Sequence, residues 1–227
     1  MQSQLLEKLD AVASDLNDAE LDNYKLLLGI AAGGLAQHGH LPEQGPKAEA
    51  FETVLRCLAR IQPTGVLWRG RPDFMTDDLL SRLQAEATQS RKTAIKHDRY
   101  MLGCGGLVAD EFSTSPTLVE FVNRFAPEVK PTGIASYLFY DREGLGLNPH
   151  IDTEIFTLNA IIMLAQQYVT SPPSHLLLYP VDQPMQRILL SPGEMLLLYA
   201  GGTVHAREDV KAGESVQLLT IGFQPAN

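Results

Sequence analysis

The stretch GIASYLFYDREGLGLNPHID, residues 133–152, changes character twice. GIASYLFY is a strand-like run of apolar, aromatic and β-branched residues, and DREGLGLNP is turn chemistry. Then His150 and Asp152 stand one residue apart, followed by TEIF. On a strand, side chains at i and i+2 point to the same face. If that face is the inside of a barrel, an imidazole and a carboxylate are held together with little help from water. A metal ion or a structural hydrogen bond would account for such a pair, as would a solvated loop.

Further short apolar runs follow: FTLNAIIMLA (156–165), SHLLLYPV (174–181), QRILL (186–190), EMLLLYA (194–200) and SVQLLTIGF (215–223). TSPPS, SPG, GG and KAGE separate them, so this part of the chain predicts an all-β sandwich or barrel. The N-terminal part has a different period. Leu5, Leu6, Leu9, Val12, Ala13 and Leu16 recur at helical intervals, as do Tyr24, Leu27, Leu28, Ala31 and Leu35. Phe51, Val54, Leu55, Leu58 and Ile61 mark a third helix, and Leu79, Leu80 and Leu83 a fourth. TGVLWRG reads as a strand interrupting that series. The reading is α+β: a helical region over 1–95 packed on the outside of a β core over 96–227. No flexible linker separates them, so the two form one structural unit.

The chain has 227 residues, is 44% hydrophobic and carries a net charge of −9. No basic block is present, so neither a nucleic acid nor an anionic membrane is the expected partner. The N-terminus alternates charge with leucine, unlike a signal peptide or membrane span, which points to a cytoplasmic protein. Cys57 and Cys104 are too few for a disulfide framework and are expected as buried thiols. His38 and His40 lie in a Pro/Gly loop with no ligand partner at suitable spacing, and read as solvated. Trp68, Arg69 and Arg71 form either an aromatic-basic rim or an exposed turn. Nothing in the sequence indicates an oligomeric state.

A third polar group joins the pair. His205 follows a Gly-Gly turn in LLLYAGGTVHARED, fifty-three residues after Asp152. Two histidines and one carboxylate on one face of a divalent iron leave coordination positions open. H-x-D alone is a weak signal. With a distal histidine and a β-rich chain around both, it is stronger.

Over residues 130 to 225 the pattern YDREGLGLNPHID … GEMLLLYAGGTVHARE … GESVQLLTIGF resembles the iron(II)/2-oxoglutarate-dependent dioxygenases. The resemblance implies a double-stranded β-helix (a cupin-like jelly roll) with helices packed on one sheet. It implies Fe(II) held by His150, Asp152 and His205, with 2-oxoglutarate and dioxygen as co-substrates. Tyr140 and Gly144 ahead of His150 resemble the family's tyrosine–glycine element. The acid at Asp152 favours hydroxylation or another C–H oxidation over halogenation, because halogenating relatives replace it.

The chain departs from the family on the last strand, where an arginine usually binds the distal carboxylate of 2-oxoglutarate. Gly213, Ser215 and Gln217 stand there instead. A buried carboxylate needs a cation, and arginine's planar fork suits it. Arg207, two residues after His205 and on the same side of an extended segment, is the expected substitute. Tyr140, Ser215, Gln217 and Asn159 are expected to help hold the co-substrate. Otherwise Arg207 is a surface residue paired with Glu208 or Asp209. Arg142 is expected to face substrate at the barrel mouth. The expected substrate is a small molecule, such as an amino acid or a natural-product intermediate. Two other readings stay open: a cupin-like metalloenzyme without 2-oxoglutarate, and a non-catalytic β-barrel binding protein.

Overall fold

The structure, a computed structural model, describes residues 2–36 and 44–226. His38 and His40 lie outside the described residues. Three helices come first: α1 (Gln2–Asp15), α2 (Asp18–Leu35) and α3 (Pro46–Ile61). A capping box between Asn17 and Glu20 starts α2, and Pro46 occupies the first turn of α3, where a missing N–H is harmless. The strand β1 (Val66–Gly70), the helix α4 (Asp77–Ser90) and the hairpin of β2 (Ile95–His97) and β3 (Tyr100–Cys104) follow. Two short helices, α5 (Leu107–Ser113) and α6 (Pro116–Asn123), lead to β4 (Val129–Tyr140) and β5 (Leu147–His150). The remaining strands are β6 (Leu158–Gln167), β7 (Leu176–Leu178), β8 (Gln186–Ile188), β9 (Met195–Leu198), β10 (His205–Arg207) and β11 (Ser215–Pro225).

The strands form two sheets with antiparallel pairing throughout. One has the order β1-β9-β6-β11-β4-β3-β2, the other β5-β10-β7-β8. β1, from within the first 95 residues, is an edge strand of the larger sheet, as TGVLWRG suggests.

Strand alternation sorts the side chains into three cores. Ile161, Met163, Leu196, Leu198, Val216 and Leu218 of the larger sheet meet Leu176, Leu178 and Ile188 of the smaller one inside the sandwich. Their neighbours Ile162, Leu164, Met195, Leu197, Leu219 and Ile221 face outward, against α4, α5 and α6. On the other side, Leu28, Phe51, Leu55 and Leu58 cover the outward Leu177, Val204 and Ala206 of the smaller sheet. Helices therefore clothe both sheets, not one. Strands buried on both faces read as near-continuous apolar runs, which explains LLLY and MLLLY.

Two glycines of α2 bring that helix onto the turn that carries the H-x-D pair. A β-carbon at Gly33 would stand 2.8 Å from the Pro149 carbonyl oxygen, and one at Gly29 would stand 2.7 Å from Ile151 Cγ1. The Gly-Gly turn before His205 has a similar cause, since a side chain at Gly202 would collide with the Pro63 carbonyl. Cys57 is buried as expected. Cys104 is exposed, because it ends β3, next to the edge strand of the sheet.

Candidate metal centre

β5 and β10 are neighbours in the smaller sheet, and their register pairs His205 with His150. Both imidazoles enter the sandwich, with ring centroids 4.3 Å apart. Asp152 lies just past β5, where its backbone N–H donates to the Ala200 carbonyl at 2.9 Å. Its Oδ1 is 3.3 Å from His150 Nε2 and 3.6 Å from His205 Nε2. One ligand atom from each residue falls within 4.8 Å of the others, close enough for one ion to touch all three.

Backbone carbonyls fix the tautomers. His150 Nδ1 donates to the Asn148 carbonyl at 2.9 Å, and His205 Nδ1 to the Thr203 carbonyl at 3.0 Å. A carbonyl only accepts, so Nδ1 carries a proton, and each ring when neutral presents a bare Nε2 to the centre. Asn159 does the same for the carboxylate: its Nδ2 donates to Asp152 Oδ2 at 2.9 Å, leaving Oδ1 toward the histidines. Asn159 thus orients a candidate ligand and also lines the cavity beside it. Its own Oδ1 is buried without a partner.

The charges balance in a way that suits a cation. Burial raises the Asp152 carboxyl, but the two imidazoles and Asn159 outweigh it and hold it down at about 2. Burial and neighbouring His150 push the His205 imidazole down to about 4. Burial also pulls His150 down, yet its bond to Asp152 and that carboxylate's charge win, and its pKa is raised. In the metal-free site His150 therefore keeps its second proton to a higher pH than an ordinary imidazole, and an incoming metal must displace it. Metal affinity should fall about tenfold per pH unit below the raised His150 value, and more steeply below about pH 4 as His205 also protonates. Calorimetric titration with nickel(II) at pH 5.5, 6.5 and 7.5 (chosen values) checks this, and a pH-independent affinity would contradict it.

The triad opens into a cavity of about 560 Å³ that also holds Tyr140, Asn159 and Arg207. Arg207 is 4% exposed and shares the inward face of β10 with His205. Its Nη2 donates to the Ser174 carbonyl at 3.3 Å and to Ser174 Oγ at 3.1 Å, and its Cζ lies 5.3 Å from the centre of the Tyr140 ring. The Ser174 hydroxyl in turn donates to Glu214 at 2.7 Å. No carboxylate among the described residues pairs with Arg207, and its Nε is buried without a partner. Burial pushes its pKa down, with Tyr140, Glu214 and Glu208 pulling the other way. The surface alternative fails: Glu208 is held by His175 and Arg187, and Asp209 by Arg99.

Other expected residues lie elsewhere. Ser215 and Gln217 share the outward face of β11 with Leu219, while Val216, Leu218 and Thr220 point in, so neither is brought to the cavity. Arg142 is exposed, its Nη2 3.7 Å from Met101 Sδ, and does not line the cavity, because the turn 141–144 bends outward. Arg99 clamps the segment before His150: it donates to Asn148 Oδ1 and the Gly144 carbonyl, each at 3.0 Å, and pairs with Asp209. Only tertiary contact reveals that role. Trp68 packs edge-on against Phe121 at 4.9 Å, away from the site.

Solved structures share this architecture. The epimerase SnoN from nogalamycin biosynthesis, crystallised with Fe3+, alpha ketoglutarate and nogalamycin RO, aligns with a TM-score of 0.60. It covers 75% of this chain and 83% of its own at 14% identity. A Pseudomonas putida prolyl-4-hydroxylase aligns at 0.57 and 14% identity over 75% of this chain and 96% of its own. HygX from Streptomyces hygroscopicus, with nickel, 2-oxoglutarate and hygromycin B bound, aligns at 0.55 and 11% identity over 72% and 84%. The chain has the double-stranded β-helix fold. No family model matches the sequence, and no curated protein matches it. In this double-stranded β-helix the smaller sheet supplies His150, His205 and Arg207, and the larger supplies Asn159 and Tyr140. Among the described residues, no helix is long and apolar enough to cross a membrane.

Proposed function

We propose that the chain is an iron(II)- and 2-oxoglutarate-dependent oxygenase acting on a C–H bond of a small molecule. The observation that carries this reading is Arg207, a buried cation that no carboxylate among the described residues pairs with, in the cavity of a His-Asp-His cluster. Such a cation costs stability unless an anion joins it. Residues 205 and 207 are about 7 Å apart along a strand, roughly the reach of a five-carbon diacid held at the metal by one end. The shared fold adds support, since neighbours of that fold were crystallised with Fe3+ and alpha ketoglutarate or with nickel and 2-oxoglutarate. Two of them also hold natural products, and a cavity of about 560 Å³ suits a ligand of that kind.

In this reading His150, Asp152 and His205 hold the iron, and Arg207 binds the distal carboxylate of 2-oxoglutarate. Together the metal and the co-substrate supply the oxidising power, consuming dioxygen and releasing carbon dioxide and succinate. The protein's own part is positional. The Asn148 and Thr203 carbonyls aim the imidazoles, Asn159 aims Asp152, and Ser174 with Glu214 holds the guanidinium. Leu138, Ile155 and Phe156 give the cavity apolar surface that limits water near the reacting centre. The missing last-strand arginine favours a reading without 2-oxoglutarate, while the buried Arg207 on β10 supports the reading with it.

Anaerobic titration of the iron(II)-loaded protein with 2-oxoglutarate tests the proposal. A visible metal-to-ligand charge-transfer band is the expected result. Tight iron binding with no band would move the cupin-like reading ahead.

A further inference from the structure

We infer that the substrate carries an amine and no free carboxylate or phosphate, and that Asp98 at the cavity mouth receives the amine. This rests on the reading above, in which the metal takes the triad and 2-oxoglutarate takes Arg207. With those groups assigned, the charged side chain left in the cavity among the described residues is Asp98, beside the imidazole of His97. Among the described residues, no lysine and no second arginine lines the cavity. Nearby cations are turned elsewhere. Arg99 is held by Asn148, Gly144 and Asp209, and Arg142 lies outside against Met101. Lys96 alternates with His97 along β2 and so points to the opposite face. An anionic substrate would lose water here and gain no cation in return.

Asp98 is available for a ligand. Its carboxylate makes no ion pair among the described residues, and its one side-chain hydrogen bond is a long one, from Asn148 Nδ2 at 3.4 Å. It occupies the turn between β2 and β3 with φ of 48°. From this turn an aromatic wall runs inward: His97 and Tyr100 are 5.2 Å apart between ring centres, and Tyr100 and Tyr140 5.9 Å. Leu102, Leu138 and Phe156 add apolar surface. The ligand that matches is an amine with an apolar, ring-bearing body, its charge at the mouth beside Asp98 and the aromatic faces. A free amino acid fits less well, because its carboxylate finds no partner.

The test uses protein loaded with nickel(II), which occupies the site without turnover, and saturated with 2-oxoglutarate. 2-Oxoglutarate binding is measured first. Three probes of similar body are then titrated by ligand-observed NMR: 2-phenylethylamine, its N-acetyl derivative and 3-phenylpropanoate. The amine should bind about fivefold more tightly than the acetyl form, as expected of one partly exposed ion pair, and the acid should bind most weakly. Asp98→Asn should bring the amine to the level of the acetyl form. Asparagine tolerates the left-handed turn and keeps an acceptor for Asn148, so the hairpin survives the change. An acid that binds as well as the amine, an amine that shows no preference, or a preference that persists in Asp98→Asn overturns the inference. Failure of 2-oxoglutarate to bind in the first step is a distinct result, and it overturns the underlying functional reading as well.

Discussion

Replacing His205 with alanine should lower affinity for iron(II) several hundred-fold and abolish 2-oxoglutarate turnover at micromolar metal. A protein-held zinc(II) is bound with about 10–16 kcal/mol through four ligands, or roughly 2.5–4 kcal/mol for each, and the upper half of that range corresponds to a loss of that size. His205 is the most buried of the three candidate ligands, at 3% exposure, and its tautomer is fixed by the Thr203 carbonyl. Its side chain also borders Asp152 and His150, so the control is the fold itself. Circular dichroism and the melting transition of the metal-free protein should stay close to those of the parent. Iron affinity within a few-fold of the parent would show that the cluster is not the metal site.

Replacing Arg207 with methionine should separate function from stability. The loss of a buried partner for a carboxylate costs roughly 3–5 kcal/mol, so 2-oxoglutarate affinity should fall at least about 100-fold while iron binding persists. The metal-free fold should be at least as stable as the parent. Without co-substrate the guanidinium is a buried charge with no counter-ion and one orphaned nitrogen, and methionine fills similar space without either. A large drop in stability would mean that the contacts to Ser174 and Tyr140 make Arg207 a structural residue. Unchanged 2-oxoglutarate affinity would remove it as the anchor.

The metal cluster was legible in the sequence because its information is local: an i, i+2 pair after a turn, and a histidine after Gly-Gly. Arg207 was legible for the same reason, since parity along a strand sets its face from His205. Ser215 and Gln217 show where parity fails. β11 is buried on both sides, so its apolar residues do not reveal which face is inner, and a family pattern put the polar ones inside. In the structure Leu219 and Ile221 belong to the outer core, and the polar pair goes with them. Seven strand runs, TGVLWRG among them, and four helices follow the sequence reading. β5 and β10 are only four and three residues long and exist through their partners. β3 is hidden behind the charged KHDR segment, and α5 and α6 are too short for a helical period to stand out. The strand that carries Asn159 is legible but its contact is not, because Asp152 reaches it only after the chain turns through 153–157.

Gly29 and Gly33 tie α2 to the turn that carries two of the candidate metal ligands. Gly33 leaves no slack between the helix and the Pro149 carbonyl, immediately before a candidate ligand. Whatever steadies the turn must steady the helix, and by thermodynamic reciprocity anything that steadies the helix tightens the hold on the ion by the same factor. Amide hydrogens of residues 29–33 should therefore exchange with solvent more slowly when nickel(II) is bound, although none of these residues is a ligand candidate. Equal exchange with and without the ion would mean that helix and turn move independently. If the coupling holds, the exposed Leu26, Leu27 and Ile30 offer a handle on the outside of the molecule from which occupancy at its centre can be tuned.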